Sequence, residues 1–331
     1  MTKILFRTSG GKILKKELGL GHIFRCINLA NQLKFHQIQF LIEDYGSVFS
    51  LLQEYGFKKI SHLVPEISVN ADIKKTSEYV FKNNIELLIV DKYGLTNKYV
   101  KALKKITKVI VISDLKNISY DADLIVNGFI GYDNRIIFNK FNTKCLIGPK
   151  YQILNQQYEK KQNYKKKYDL LITLGGFDAN NLLEIILDKI TRYKKSFKII
   201  LGPATKKTSR LNKLEKKYKN IKFINKTRNL KKEISCSSFG ICAGGITTYE
   251  FATLNVPFAI VCQYKHQIIT AKEWQKKKIA KNLGFITNDG KKIDTFLEQL
   301  FNNKILLKPT KLVDGFGTKR VANQILKIVK N

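Results

Sequence analysis

Short apolar runs of five or six residues, each followed by a stretch with helical spacing, recur along the chain. This alternation predicts α/β architecture with parallel sheets, because Val/Ile/Leu runs of that length suit strands buried on both faces. In the first half it places strands at KILFRT (3–8), IQFLIE (38–43), ELLIVD (86–91), KVIVIS (108–113) and DLIVN (123–127). Helices are expected between them, for example HIFRCINLANQL (22–33), with Ile23, Ile27, Ala30 and Leu33 on one side, and NKYVKALKKI (97–106). The pattern lapses at EKKQNYKKK (159–167), a basic stretch without apolar periodicity that reads as a solvated linker. It resumes with YDLLITL (168–174), FKIILG (197–202), IKFIN (221–225), FGICA (239–243) and PFAIVC (257–262).

The expectation is therefore two Rossmann-like domains. Residues 1–150 form the first, 151–167 the linker and 168–331 the second, whose last helix has the option of packing back on the first. In doubly wound sheets ligands bind beyond the carboxyl ends of the strands. Two such domains facing each other would hold a site in the cleft between them.

Composition narrows the class. There is no apolar run long enough to cross a bilayer, and the N-terminus MTKILFRTSGGK reads as a first strand and not a leader. The five cysteines include no Cys-x-x-Cys pair, which suits reduced thiols of a cytoplasmic protein and gives no zinc motif. The net charge of +34 invites a nucleic-acid reading. However, 53 of the 60 basic residues are lysine and they are spread evenly, whereas base readers cluster arginine with aromatic platforms. A solvated, lysine-rich surface is the plainer reading, and it would draw in anionic substrates. No specific nucleic acid is expected as a partner.

Three glycine motifs fall at predicted strand ends. Gly19-Leu20-Gly21-His22 opens a helix but lacks the third glycine of a dinucleotide fingerprint, and no P-loop occurs anywhere. LGGFDANN (174–181) lets the backbone turn at Gly175 and Gly176, with Asp178 or Asn180 as a helix cap. Gly244 and Gly245 end strand FGICA, and Ile246, Thr247 and Thr248 lead into a helix whose amides could hold phosphate oxygens. Glu250 follows within about a turn, placed to favour the helix dipole or to bind a ribose diol.

The stretch Gly19 to Cys26 resembles the G-x-G-H-x-x-R-c motif of UDP-sugar hydrolases of the pseudaminic acid pathway. These are the UDP-2,4-diacetamido-2,4,6-trideoxy-β-L-altropyranose hydrolases, grouped with spore-coat polysaccharide proteins. Asp91-Lys92-Tyr93-Gly94, Asp114, Asn127, Gly148-Pro149-Lys150-Tyr151, Gly175 to Asp178 and Asp314 to Gly317 with Arg320 resemble further family motifs, so the likeness runs nearly the whole length. Gly244 to Glu250 is similar to the nucleotide loop of the peptidoglycan N-acetylglucosaminyltransferase. One departure stands out: the family has R-x-D after its first strand, whereas here Arg7 is followed by Thr8-Ser9 and a longer basic loop, GGKILKKE.

The resemblance implies a GT-B fold with the sugar on the N-terminal domain and UDP on the C-terminal one. It implies a metal-independent, inverting hydrolase without a cofactor, serving nonulosonic acid and surface-glycan synthesis. His22, in the first helical turn where the dipole disfavours imidazolium, is the expected general base. Gly21, Arg25, Asp91, Tyr93, Asn127, His266 and Gln267 are the expected sugar-side or substrate contacts. Gly175, Gly176, Gly244, Gly245, Ile246, Thr247 and Glu250 are the expected nucleotide site. Two rival readings are a glycosyltransferase of the same fold and a non-catalytic protein binding RNA or a membrane surface. The sequence leaves the oligomeric state open.

Overall fold

The computed structural model describes residues 1–13, 16–46, 48–160, 162–178, 180–202, 205, 207–225, 227, 229–287 and 289–330. Two compact units emerge, Met1–Gln156 with Gly315–Asn331, and Gln157–Asp314. Each is a layered α/β body with its own core.

In the first unit β1 (Lys3–Ile13) continues into β2 (Lys16–Gly19), α1 (Gly21–Gln32), β3 (Gln37–Tyr45), α2 (Val48–Glu54) and β4 (Ile60–Leu63). Then come α3 (Val69–Asn83), β5 (Leu87–Asp91), α4 (Asn97–Lys104), β6 (Lys108–Ile112), β7 (Leu124–Asn127), β8 (Arg135–Phe138) and β9 (Lys144–Ile147). The sheet order is β4-β3-β1-β5-β6-β7-β9-β8, with β2 paired to β1. All pairings are parallel except β1/β2 and β8/β9. Alternate residues of the central strands (Leu5, Leu88, Val90, Val109, Val111) join Val80, Tyr99, Val100 and Leu103 of α3 and α4 in one core. Thr96 caps α4 by accepting from Tyr99 N.

In the basic loop expected at 10–17 the described residues are strand, paired antiparallel. Residues 14 and 15 lie outside the described residues, but β1 runs to Ile13 and β2 pairs back on it. Gly11 sits at a bulge with φ +103°, where a Cβ would meet Gly46 O at 2.4 Å. Only glycine fits there.

The second unit contains β10 (Tyr168–Thr173), α5 (Leu182–Ile190), β11 (Phe197–Leu201), α6 (Ser209–Lys217), β12 (Ile221–Asn225) and α7 (Leu230–Ser235). β13 (Ser237–Ala243), α8 (Thr247–Thr253), β14 (Phe258–Val261), α9 (Lys265–Lys276), β15 (Ala280–Gly284) and α10 (Lys291–Phe301) complete it. Its sheet, β12-β11-β10-β13-β14-β15, is parallel throughout. Most of the described residues of the basic stretch 159–167 are exposed, yet the segment is anchored at Lys166. Lys166 Nζ donates to Ser235 O (3.0 Å) and Ser237 O (2.7 Å), tying it to the start of β13.

The last helix, α11 (Gly317–Lys330), belongs to the first unit. Its apolar stripe of Val321, Ala322 and Ile325 is buried, and Thr318 Oγ1 donates to Leu154 O (2.6 Å). Among the described residues no helix is long and apolar enough to cross a membrane.

Candidate active site

In each unit the chain leaves the first central strand in one direction and later returns on its other side. The strand order therefore reverses between β1 and β5, and again between β10 and β13. Such switch points open a crevice at the carboxyl ends of the strands. The residues singled out from the sequence concentrate at these two places.

At the first switch point α1 begins without a side-chain cap, and His22 and Arg25 stand one turn apart on it. Asp91 is the last residue of β5, and Asp114 lies two residues beyond β6. Asp91 Oδ1 is 2.6 Å from His22 Nδ1. A carboxylate only accepts, so Nδ1 carries the hydrogen and Nε2 keeps the lone pair. Arg25 Nη2, 2.9 Å from the same Nδ1, is then a close neighbour and not a donor to it. The guanidinium spends its hydrogens elsewhere. Nε donates to Asp91 Oδ2 (2.8 Å), Nη2 to Asp91 Oδ1 (2.6 Å) and Asp114 Oδ2 (2.9 Å), and Nη1 to Asp114 Oδ1. Burial pulls Arg25 down, but Asp114 and Asp91 outweigh it and hold the group well above its usual value.

This geometry revises several expected roles. Arg25 is buried and committed to two carboxylates, so it serves as a clamp, not as a substrate contact. Asp91 is fully buried, with Oδ1 against His22 and Oδ2 accepting from Arg25, so its contacts are with these two side chains. Asn127, also fully buried, ties loops together: Nδ2 donates to Ser113 Oγ and Leu115 O, and Oδ1 accepts from Phe129 N. The side chain of Tyr93 remains exposed, as does Gly21. Ser9, where the resembled family has aspartate, accepts from Tyr93 N at 3.1 Å and fixes the turn after β5. Asp114 was not among the expected site residues. It is half-exposed beside His22, and its link to Arg25 spans 89 positions of sequence.

His22, Asp91 and Asp114 also offer ligand atoms within 4.8 Å of one another, a grouping the sequence spacing did not reveal. Arg25 already donates to both carboxylates, so a divalent cation would have to displace the guanidinium. The donor set fits an ion-pair network better than a metal site.

At the second switch point Gly175 and Gly176 follow β10, Gly244 to Glu250 follow β13, and His266 and Gln267 follow β14, three neighbouring strands. Asp178 caps α5, its two oxygens accepting from Leu182 N and Leu183 N at 2.9 Å. Gln267 departs from the expected ligand contact. It is buried, its Oε1 accepts from Gln263 N (2.8 Å), and Gln263 Nε2 in turn donates to Leu174 O (2.7 Å). The two glutamines thus bind the glycine loops to each other. Gly244 packs directly on Gln267, where a Cβ would meet Gln267 Cβ at 2.8 Å. Thr248 turns inward, donating to Gly245 O (2.8 Å) and accepting from Trp274 Nε1 (3.1 Å). Gly245 stays exposed, Ile246 and Thr247 are partly so, and exposed His266 stacks on Tyr264.

Glu250 is half-buried, and burial of its carboxyl pushes it up to about 7, against the neighbouring Tyr158 and Thr247 hydroxyls, which pull it down. The Tyr158 hydroxyl faces it from a buried position without completing a hydrogen bond of normal geometry. Tyr158 went unnoticed in the sequence because it precedes the second sheet, inside the segment read as linker.

Two doubly wound units in one chain with these switch points make a GT-B fold, and solved structures agree. MurG of Acinetobacter baumannii aligns with a TM-score of 0.67 over 99% of this chain and 100% of its own, at 16% identity. S. aureus MnaA in a co-structure with UDP aligns at 0.63 over 100% and 97%, at 12% identity. By sequence the chain is similar to the UDP-2,4-diacetamido-2,4,6-trideoxy-β-L-altropyranose hydrolase of Campylobacter jejuni, 28% identical over 83% of this chain and 97% of the relative. It is also similar to the spore coat polysaccharide biosynthesis protein SpsG of Bacillus subtilis, 26% identical over 81% and 80%. An uncharacterized protein of Methanocaldococcus jannaschii is 28% identical over 79% of this chain, which spans about half (56%) of that relative's length. No protein-family model matches the chain. The resemblance drawn from the motifs thus extends over most of the sequence.

Proposed function

We propose that the protein is a UDP-sugar hydrolase that releases UDP and a free amino sugar, with His22 as general base and the second unit as the UDP-binding part. The observation that carries this reading is the contact between Asp91 and His22 Nδ1, which leaves Nε2 as the basic nitrogen on a side chain 16% exposed. Nε2 takes a proton from water as the water oxygen bonds to the anomeric carbon. The bond from that carbon to the diphosphate breaks, and UDP leaves with the electron pair. Amides after Gly244 and Gly245 and cationic side chains stabilise the leaving charge, and Glu250 accepts from the ribose. Similarity to the hydrolase of Campylobacter jejuni supports this substrate class, and similarity to SpsG supports a part in polysaccharide synthesis. A diacetamido-trideoxy sugar of the pseudaminic type is the proposed substrate, feeding surface polysaccharide synthesis.

The test is to incubate the protein with the UDP-sugar and no acceptor. Steady UDP release that disappears in His22→Ala, with UDP binding retained, is expected. UDP release that requires an added sugar or lipid acceptor would instead make the protein a glycosyltransferase, the same base acting on an acceptor hydroxyl. Salt-sensitive RNA binding without UDP affinity would overturn both.

A further inference from the structure

Away from both switch points, the first unit carries a groove of about 570 Å³ between β8, the turn at Pro149–Tyr151 and α11. Volumes of this order accommodate small-molecule ligands. Four cations line it (Lys150, Arg320, Lys327 and Lys330) and no acidic residue does. Among the described residues Lys150, Lys327 and Lys330 have no acidic partner. The last-turn lysines Lys327 and Lys330 complement the α11 dipole, but Lys150 on the opposite wall is not explained that way.

The polar walls are set in advance. Arg320 Nη1 donates to Lys150 O at 3.1 Å, and its guanidinium lies over the Phe316 ring. Gln324 Oε1 accepts from Lys144 Nζ at 2.8 Å, which leaves the amide hydrogens of Gln324 to the groove. Ile136 and Tyr151 supply apolar surface beside the cations.

We propose that this groove is a second ligand site that takes a phosphorylated small molecule, its phosphate oxygens held by Lys150, Arg320, Lys327 and Lys330 and its organic part resting on Ile136 and Tyr151. The same phosphate chemistry could be offered by a soluble metabolite or by an anionic lipid headgroup. The proposal does not depend on the hydrolase reading.

The probe is inorganic tripolyphosphate, titrated calorimetrically into the full chain with excess UDP present, at near-physiological salt where the diffuse field of surface lysines is screened. Lys327→Glu/Lys330→Glu, and separately Lys150→Glu, should weaken binding about tenfold or more. The charge-matched control Lys213→Glu/Lys216→Glu, on exposed positions of α6, should stay within about twofold of the wild type. A second arm uses phosphatidylcholine vesicles with and without phosphatidic acid. Binding to the acidic vesicles alone, lost in the groove variants, would assign the site to a headgroup. Equal behaviour of groove and control variants, or no binding of either probe, would overturn the proposal.

Discussion

Each unit places an acidic side chain at its switch point, and the two are compensated in opposite ways. Asp91 in the first unit is enclosed with a guanidinium on both oxygens and an imidazole on one. Glu250 in the second has, among the described residues, the hydroxyls of Thr247 and Tyr158 beside it, and burial raises it to about 7. The difference follows from what the helix after the first strand contributes. α1 brings in His22 and Arg25, whereas α5 begins with apolar residues and a capping Asp178. One fold thus yields an end whose carboxylate is paired with a guanidinium and an end whose carboxyl is raised by burial. The first suits proton transfer at a defined nitrogen, and the second suits a ligand that supplies its own hydroxyls.

The largest effect should come from breaking the paired end. Asp91→Ala leaves Arg25 buried with half its partners and frees the His22 ring, and it should cost ~3–5 kcal/mol of stability in urea unfolding. An unfolding curve matching the wild type would show that the network holds nothing together.

The unpaired end should respond to pH instead. A carboxyl raised in the fold contributes fully below its ordinary value of 4.5, and that stability drains away as pH climbs through about 7. Glu250→Gln should therefore flatten the pH dependence of melting and exceed the wild type above neutrality by roughly 2–3 kcal/mol. Parallel melting profiles for both proteins between pH 5 and 8.5 (an experimental range chosen to bracket about 7) would contradict the contrast. Tyr158→Phe removes a buried hydroxyl that completes no bond, so its stability should shift by about 1 kcal/mol or less. The same change should move the Glu250 titration further up, read by carboxyl NMR, because one of its lowering contacts is gone. Smallest of all is the expected response to a chelator: since Arg25 occupies the position between Asp91 and Asp114, extended dialysis against EDTA should leave UDP release unchanged.

Much of the fold was legible because central strands such as LLIVD (87–91) and KVIVI (108–112) each carry four consecutive apolar residues, which suits buried parallel strands. The strands that escaped have four or five residues: β4, β8 and β15 lie at sheet edges, and β9, though buried between β7 and β8, is only four residues long. RIIF (135–138) is mostly exposed, and β2 hides within basic sequence behind two glycines. At the site, His22 was legible because glycines and a helix start surround it. The jobs of its neighbours were not, because they depend on contacts between distant positions. Asp91 reaches His22 across 69 residues and Asp114 reaches Arg25 across 89, and no local spacing encodes either. Asn127 and Gln267 looked like ligand contacts for the converse reason: a polar side chain at a strand end reads the same whether it faces a ligand or ties two loops together.

The central claim is that water, activated at His22 Nε2, attacks the anomeric carbon of a UDP-sugar. Turnover in oxygen-labelled water tests it most directly. The label is expected in the anomeric hydroxyl of the released sugar, with none in UDP and no labelled product from His22→Ala. Label appearing on the terminal phosphate of UDP, or undiminished labelling of the sugar by His22→Ala, would contradict it.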